Sequence, residues 1–233
     1  MPTRMAWPVN PQVPPLAGGD VHIWLADLSY RANSREHVAS ILSEDERERA
    51  TRFHFPQDAG RWTVSRAALR SILGRYLGVE ASAVRFGAGP WGKPELTADF
   101  QRHLLEFSAS RSEDFGLYAV ARNRRVGVDI ERLRPLPDLA AIAAQVFSPR
   151  EQRALEELPA AERDAAFFDC WTRKEAYLKA LGEGLGHEDA PDDSAEPGRW
   201  SISPLAPAPG YAAAVAIEGP PPKLLCAQWR DAC

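Results

Sequence analysis

The 233-residue chain has few of the features that mark a membrane-spanning, secreted or zinc-binding protein. No apolar run approaches the roughly 18 residues that a transmembrane helix requires. Residues 1–19 are rich in proline and lack a continuous apolar segment, which argues against a secretory signal and predicts a cytoplasmic protein. Only three scattered cysteines occur, without C-x-x-C spacing, so reduced thiols are expected at Cys170, Cys226 and Cys233.

The charge balance argues against a general nucleic-acid-binding protein. The formal net charge is −4, which is unfavourable for a polyanionic partner. The charges are uneven, however, because Arg102–Arg134 is rich in arginine whereas Gly186–Glu196 is acidic. A local basic pocket for a small anion is compatible with this layout. Neither a G-x-x-x-x-G-K-[ST] loop nor a G-x-S-x-G elbow occurs, and the histidines have no metal-ligand spacing.

Hydrophobic periodicity, capping residues and glycine stops predict four helices. Two begin at a serine that is followed three residues later by glutamate, and the two longer ones end at a glycine. They are predicted from Ser43 to about Phe53, at Gln57–Leu77, from Ser148, and from Pro159 to Gly182.

Short apolar or alternating segments predict strands between these helices. A polar turn is expected at Ala109–Asp114 and a hairpin around Asn123. A loop is expected at Gly87–Leu96, because glycine and proline there interrupt regular secondary structure. The strands are predicted at Val21–Leu25, Ala81–Phe86, Leu104–Ser108, Phe115–Ala121, Arg125–Glu131, Trp200–Ile202, Tyr211–Ile217 and Leu224–Trp229.

This order of elements predicts an α+β protein of two similar halves, each a mostly antiparallel sheet packed with helices. Strand, helices and further strands follow one another twice along the chain. The expected division is a proline-rich tail at 1–19, an N-terminal half at 20–122 and a C-terminal half at 123–233.

Two acidic residues occupy one predicted strand of the C-terminal half. Asp129 and Glu131 are two residues apart, so their side chains share a face, about 7 Å apart along the chain. Three apolar residues take the other face, and Gly127 is expected to leave room beside the carboxylates. The alternative is an ordinary charged, solvent-facing edge.

The last predicted helix carries Glu175 and Lys179 one turn apart. If this helix packs on the acidic strand, three carboxylates and one or two lysines meet at one point. Oxygen ligands of this kind suit Mg²⁺ with a phosphate beside it, and we expect the metal site in the C-terminal half. A surface helix with an i,i+4 ion pair is the alternative.

The two motifs together resemble the signature of the 4′-phosphopantetheinyl transferases, G-[IV]-D-[IVL]-E followed by W-x-x-K-E-[AS]-x-x-K. Here they read G-V-D-I-E at 127–131 and W-T-R-K-E-A-Y-L-K at 171–179, with the family's F-S-x-x-E element at Phe147–Glu151 between them. The larger, Sfp-like branch is the better match, over about residues 20–217. It implies two fused halves related by a pseudo-twofold. Its further matching elements are Arg47, Arg49, Arg52–Phe53, Arg61 and Gly92–Pro94.

One position departs from the family pattern. The family's N-[IL]-S-H-S element reads Ser108-Ala109-Ser110-Arg111-Ser112 here, so Arg111 replaces the histidine that lies at the 3′-phosphate of coenzyme A in the family. Arginine is permanently cationic and can bind phosphate bidentately, so the change can preserve the contact. The alternative is that Arg111 points to solvent and the phosphate is held less tightly.

The resemblance implies transfer of the 4′-phosphopantetheine arm of coenzyme A to a serine of an acyl- or peptidyl-carrier protein, with release of 3′,5′-ADP. Mg²⁺ is the implied cofactor and coenzyme A a substrate. Glu175 would be the general base or would orient a metal-bound water. The implied roles are metal ligation by Asp129, Glu131 and Glu175, catalysis by Glu175 and Lys179, and coenzyme A binding by Arg49, Arg61, Trp91, Gly92, Lys93, Ser110, Arg111, Asp129 and Lys179.

Two other classes of function stay open for the same residues. A Mg²⁺-dependent phosphohydrolase would use water as the nucleophile and need no carrier, and a non-catalytic module would only hold coenzyme A or a carrier. The expected partner is a carrier protein, docked near Arg122–Arg125 or Arg132–Arg134, with no nucleic acid or membrane. A monomer is favoured because two halves in one chain can form the cleft.

Overall fold

The computed structural model describes residues 7–9, 14–29, 35–89, 93–182 and 198–230. Within these ranges, no helix combines the length and hydrophobicity needed to cross a bilayer. The strands are β1 (Asp20–Asp27), β2 (Phe86–Ala88), β3 (Pro94–Leu96), β4 (Leu105–Ser112), β5 (Phe115–Arg122), β6 (Val126–Arg132), β7 (Trp200–Leu205), β8 (Tyr211–Glu218) and β9 (Lys223–Trp229). The α-helices are α1 (Arg35–Ile41), α2 (Glu44–Thr51), α3 (Pro56–Leu77), α4 (Leu139–Val146), α5 (Pro149–Glu156) and α6 (Ala160–Leu181).

Two sheets form the centre of the molecule. The first has the strand order β4-β5-β1-β9, in which only β1 and β9 run parallel. The second has the order β6-β8-β7 and is antiparallel throughout. β2 and β3 form a separate antiparallel ribbon. The prediction of an α+β fold with mostly antiparallel sheets is confirmed.

The two sheets pack face to face, and a long helix covers the outer face of each. Alternate residues of β1 and β6, such as Ile23 and Val128, lie in the apolar layer between the sheets. The opposite face of the first sheet packs on α3, where Trp24 and Ile72 share one core. The opposite face of the second sheet is lined by alanines of β8 and packs on α6. The resulting order of layers is helix, sheet, sheet, helix.

Each half repeats the same order of elements, as predicted. β1 and β6 are each followed by two short helices and a helix of 22 residues, then by antiparallel strands. Both long helices end at a glycine in the left-handed conformation, Gly78 (φ 69°) and Gly182 (φ 79°). Glycine adopts this conformation without the steric cost of a Cβ, so both stops were readable from the sequence.

The last strand ties the halves together. β9 follows the strands of the C-terminal half along the chain, but it pairs with β1 of the N-terminal half. Residues 7–9 then add to the free edge of β9, where the N–H of Gln228 donates to the carbonyl of Pro8 at 2.7 Å. A cut after residue 122 would therefore divide a hydrogen-bonded sheet. The proposed division into 1–19, 20–122 and 123–233 stays a prediction.

Four local expectations are wrong. The segment Gly87–Leu96, expected to be a loop, contributes strand residues at both ends, where β2 pairs with β3. The segment 81–86 forms a 3₁₀ turn at Ala81–Ala83, with strand only from Phe86. β4 continues to Ser112, so the turn shortens to two residues, with Glu113 at φ 50°. The segment around Asn123 is not a hairpin, because β5 is already paired with β4 and β1 on its two sides and the chain must pass to the other sheet.

Candidate active site between the two halves

β6 lies against α6 because Gly127 has no side chain. A Cβ at this position would overlap the carbonyl oxygen of Ala176 and the backbone nitrogen of Ala180. The expectation that Gly127 leaves room beside the carboxylates is therefore wrong, since the helix backbone fills that space. The close approach instead brings the face of β6 that carries Asp129 and Glu131 against α6.

Asp129 is the centre of the site. It is 2% exposed, and its Oδ1 accepts hydrogen bonds from the Lys179 ammonium at 2.6 Å and the Ser110 hydroxyl at 2.7 Å. The same hydroxyl lies 2.9 Å from the Lys179 nitrogen. A buried carboxylate needs such partners to remain charged. The structure thus brings together three of the residues predicted for the site, from β4, β6 and α6.

Two further serines of β4 hold the strand against β6. The Ser108 hydroxyl accepts the N–H of Val128 at 3.1 Å, and the Ser112 hydroxyl accepts the N–H of Arg132 at 3.1 Å. Ser112 also donates to Oε2 of Glu131 at 2.8 Å. β6 is an edge strand, so these hydroxyls satisfy N–H groups that its sheet leaves unpaired. Sequence reasoning missed this role of Ser108 and Ser112, although the S-x-S-x-S alternation was the available signal.

The two glutamates of the site have raised pKa values. Burial raises the pKa of Glu131, and Asp129 adds to the rise while the hydrogen bond from Ser112 opposes it. Burial likewise raises the pKa of Glu175; the Lys179 ammonium opposes this shift, whereas Asp129 and Glu131 add to it. The three acids are therefore electrostatically coupled, and the site favours an added positive charge.

The donor set suits a hard divalent cation. Oδ2 of Asp129 and Oε1 of Glu175 are buried oxygens without a hydrogen-bond partner, and orphaned acceptors of this kind are rare in folded proteins. Carboxylate oxygens are the ligands that Mg²⁺ prefers. However, no group of three or more His, Cys, Asp or Glu side chains in the described part of the chain has the spacing of a metal site. As the side chains stand, Lys179 supplies the charge that compensates Asp129.

Arg111 and Arg49 form a second cationic position. Both side chains are exposed, and neither has an ion-pair partner among the described residues. The surrounding protein lowers the pKa of Arg111, and the nearby Arg49 guanidinium lowers it further. Asp58 opposes this shift. Two neighbouring guanidinium groups that form no described ion pair favour an anion.

Arg61 has a different environment from the other two arginines. Its guanidinium contacts Asp114 at 2.7 Å, Glu113 at 3.0 Å and Asp58 at 3.9 Å. The hydrogen bond to Asp114 raises the pKa of Arg61. Its charge is balanced by these acids, so the geometry supports its predicted phosphate contact less than it supports those of Arg49 and Arg111.

Lys93 reaches across the boundary between the halves. Its ammonium donates to the backbone carbonyl of Lys179 at 2.7 Å. Burial lowers the pKa of Lys93, while Glu106 and Glu95 oppose the shift. Trp91 and Gly92, the other predicted members of this loop, lie outside the described residues.

Lys174 forms an ion pair with a helix-capping glutamate. Its ammonium pairs with Glu151 at 3.0 Å, and both side chains are largely buried. Glu151 also accepts the N–H of Ser148 in the capping box that starts α5. The N-terminal half has a counterpart, because the capping glutamate of α2, Glu46, pairs with Arg70 of α3 at 2.6 Å. Of the two lysines in the helix motif, Lys174 thus pairs with Glu151 and Lys179 pairs with Asp129.

Comparison with known proteins identifies the class. Residues 125–215 match the model of the 4′-phosphopantetheinyl transferase superfamily, and residues 31–123 match that of the N-terminal region of 4′-phosphopantetheinyl transferases. The chain belongs to the 4′-phosphopantetheinyl transferase superfamily, which confirms the resemblance read from its two motifs.

Individual relatives cover most of the chain. It is 39% identical over 222 residues to the 4′-phosphopantetheinyl transferase HetI of Nostoc sp. PCC 7120, covering 91% of this chain and 94% of that protein. It is 28% identical over 159 residues to the 4′-phosphopantetheinyl transferase Sfp of Bacillus subtilis strain 168, with 68% of each chain covered. It is also 27% identical over 169 residues to the human L-aminoadipate-semialdehyde dehydrogenase-phosphopantetheinyl transferase, with 69% of this chain and 54% of that protein covered.

Proposed function

We propose that the protein transfers the 4′-phosphopantetheine arm of coenzyme A to a serine hydroxyl of an acyl- or peptidyl-carrier protein and releases 3′,5′-ADP. The contact of Lys179, Ser110 and Asp129 at the boundary of the halves carries this proposal. An ammonium and a hydroxyl held beside carboxylates can bind a pyrophosphate, and phosphoryl transfer depends mainly on such positioning and charge neutralisation. The names of the relatives support the same reaction.

In this reaction the serine oxygen of the carrier bonds to the pyrophosphate phosphorus nearest the pantetheine. The bond from that phosphorus to the bridging oxygen breaks, and the electron pair leaves with the nucleotide phosphate. Lys179 would neutralise charge on the pyrophosphate, and Ser110 would donate to one of its oxygens. Both groups now contact Asp129, so the bound pyrophosphate would take over part of that interaction.

Asp129, Glu131 and Glu175 would hold Mg²⁺, and the unpartnered oxygens of Asp129 and Glu175 support two of these ligands. When bound, the ion would screen the pyrophosphate charge that otherwise repels the incoming serine oxygen. Lys179 contacts Oδ1 of Asp129, so Oδ2 would remain available for the cation.

Glu175 is the candidate general base for the carrier serine. Burial raises the pKa of its carboxyl, and Asp129 and Glu131 raise it further despite Lys179. A base with a raised pKa accepts a proton more readily at neutral pH than an ordinary glutamate. If its unpartnered Oε1 binds the metal, Glu175 would instead orient a metal-bound water that takes the proton.

Arg49 and Arg111 would bind the 3′-phosphate, with Arg61 as a weaker contributor because three acids balance its charge. Because Arg111 stays cationic at every physiological pH, this contact would lack the pH dependence that the family's histidine brings. Lys93, with Trp91 and Gly92, would face the adenine.

The carrier protein would dock near Arg132–Arg134, one of the two basic segments considered above. In the other segment, Arg124 donates to the carbonyls of Glu218 and Pro220, and Arg125 pairs with Glu218. Arg132 and Arg134 are exposed, so they are better placed to meet an acidic carrier helix. We further propose that the protein is cytoplasmic. We also propose that it is a monomer, because one chain contains both halves of the site.

The test is to incubate the protein with coenzyme A, Mg²⁺ and an apo carrier protein and to measure the mass of the carrier. We expect a gain of one phosphopantetheine on its serine and the appearance of 3′,5′-ADP. The Asp129→Ala variant should lose the transfer while keeping the circular dichroism spectrum of the folded protein. No mass gain across several carriers, or release of phosphate without a carrier, would contradict the proposal and favour a hydrolase or binding module.

A further inference from the structure

A cavity of about 420 Å³ lies at the end of α3, on the α3 face of the first sheet. Trp24 of β1 lines it, and the proline-rich segment before β1 supplies part of its wall. Its size falls within the roughly 300–1,000 Å³ of small-molecule sites. We call it the α3 pocket, and its other lining residues are Pro14, Pro15, Leu16, Arg75, Tyr76 and Arg122.

The α3 pocket is remote from the proposed active site. Arg122 pairs with Leu105 at the start of β4, whereas Ser110 lies five residues further along, which is about 17 Å in a strand. Arg75 is likewise about 21 Å from Arg61 along α3. The Ser110 side chain contacts the C-terminal half, whereas the pocket lies on the α3 face of the sheet. The pocket is therefore a separate place and not an extension of the site.

Two guanidinium groups give the α3 pocket a positive charge. Arg75 is exposed and has no hydrogen-bond or ion-pair partner among the described residues; its guanidinium lies over the Trp24 ring, 5.2 Å from the centroid. Arg122 donates to the carbonyl of His103 through Nη1, which leaves most of its five N–H groups for another acceptor. None of the described lining residues is acidic. The end of α3 contributes only about half a negative charge, so the pocket favours an anion.

Two lining residues belong to a triad with one polar hydrogen more than it can use. Trp24 Nε1 donates to Tyr76 Oη at 2.9 Å, and the same oxygen lies 2.8 Å from Nδ1 of His22. Burial lowers the pKa of His22 despite the nearby Asp20, so the ring is neutral at neutral pH and carries one N–H. The three side chains thus hold three polar hydrogens but form two bonds with one another. Nε2 of the buried His22 has no partner.

Tyr76 can deliver the third hydrogen into the pocket. If His22 carries its hydrogen on Nδ1, this N–H donates to Tyr76 Oη, and the hydroxyl hydrogen is free for a ligand acceptor. If His22 carries it on Nε2, that donor stays buried without an acceptor, which is rare in folded proteins. An acceptor in the pocket therefore favours the first arrangement, because all three hydrogens are then used.

We propose that the α3 pocket binds a small molecule in which an oxyanion is attached to an apolar group. Arg75, Arg122 and the Tyr76 hydroxyl would hold the oxyanion, because guanidinium and hydroxyl donors suit carboxylate and phosphate oxygens alike. The exposed rings of Pro14 and Pro15 would contact the apolar group. The proline-rich segment thereby gains a role as the wall of a binding site.

The test measures the binding of phenyl phosphate, benzoate and inorganic phosphate to the full-length protein by isothermal titration. Saturating 3′,5′-ADP is present throughout, so that the proposed active site is filled. We expect saturable binding of phenyl phosphate or benzoate, and the tighter of the two identifies the oxyanion as phosphate or carboxylate. Inorganic phosphate should bind more weakly, because it lacks the apolar group. If it binds as tightly as the organic anions, the pocket does not select this class of molecule.

Arg75→Ala should weaken binding of the tighter organic anion about tenfold, because a charge-assisted hydrogen bond is lost. Arg75→Lys should lie between the two, since it keeps the charge but loses the bidentate geometry. Arg85→Ala is the matched control, because Arg85 is exposed, belongs to the same half and does not line the pocket. None of these variants should change the affinity for 3′,5′-ADP. Equal weakening in Arg75→Ala and Arg85→Ala would reveal a general surface-charge effect and overturn the proposal.

Nitrogen-15 NMR of the histidine rings gives a second readout. In the complex we expect His22 to carry its hydrogen on Nδ1, because the Tyr76 hydroxyl then donates to the ligand. A bound state with the hydrogen on Nε2 would contradict this arrangement. The proposal would also be overturned if none of the three probes bound saturably at millimolar concentration, or if 3′,5′-ADP abolished their binding.

Discussion

At the scale of single residues, the charged groups of the site stabilise one another. Asp129 is buried at 2% exposure and depends on Lys179 and Ser110 for compensation. Glu131 depends on Ser112 in the same way. One oxygen of Asp129 and one of Glu175 have no partner at all among the described residues. Such groups cost stability when left alone, so they mark the place where a ligand supplies the missing contacts.

The raised pKa of Glu175 predicts the acid side of the pH profile. The carboxylate is the active form of a general base, so protonation abolishes its function. Burial raises the pKa of Glu175 above the ordinary 4.5. We therefore expect that, as the pH is lowered, kcat begins to fall at a higher pH than an ordinary glutamate would give. The pH dependence of kcat for carrier modification measures this limb.

Glu175→Gln is the control variant for this limb. It should lower kcat by about 10²-fold or more and remove the acid limb from the residual activity. A residual rate that keeps the same acid limb would assign it to another group and exclude Glu175 as the base.

At the scale of elements, the distance between β6 and α6 decides whether the site exists. Gly127 allows the strand to touch the backbone of Ala176 and Ala180. The serines of β4 then fasten the other side of β6. The strand is thus held between a helix and a strand of the opposite half, which aims its acids at Lys179.

Gly127→Ala should separate β6 from α6. The added methyl group meets the helix backbone, which cannot rotate away as a side chain can. We therefore expect the free energy of unfolding to fall by about 1–3 kcal/mol or more. The rate of carrier modification should fall by more than the loss of folded protein explains, because Asp129 moves relative to Lys179. Thermal unfolding and carrier modification measure the two effects.

Gly87→Ala is the matched control, because a Cβ at Gly87 meets nothing within 4 Å and its φ is not in the left-handed region. This variant should unfold close to the wild-type temperature. If Gly127→Ala behaved like Gly87→Ala, the close packing would not be what positions the acids.

At the scale of the whole molecule, the two halves are not independent units. They share the apolar layer between the sheets, and β9 completes the sheet of the opposite half. The side chains of Ala227 and Trp229 on β9 are buried in the core under α3. A substitution in β9 therefore also disturbs the core that packs against the first helices.

Trp229→Ala should destabilise both halves together. Removal of a large buried side chain typically costs about 3–5 kcal/mol, and Trp229 is 4% exposed. We expect a single cooperative transition at lower denaturant concentration, followed both by near-ultraviolet circular dichroism and by loss of coenzyme A binding. Lys223→Ala, at the exposed start of β9, should change little. Two separated transitions in Trp229→Ala would show that the halves unfold independently.

The sequence by itself determined the local elements and the family. Capping serines, glycine stops and the alternation along β6 act over a few residues, so α3, α6 and the acidic strand were readable without tertiary structure. The same patterns missed α1 and α4, which have no such clear signals. The two motifs also predicted that Asp129, Glu175 and Lys179 belong to one site.

Only the tertiary structure decided what those residues contact. Lys174 and Lys179 look alike in the sequence, but one pairs with Glu151 and the other with Asp129. The partner of β9, the true neighbour of Gly127 and the serine contacts of β6 are likewise long-range. These contacts share one physical reason. The local sequence around a strand edge or a charged side chain is compatible with many partners, and the packing of the two sheets selects one of them.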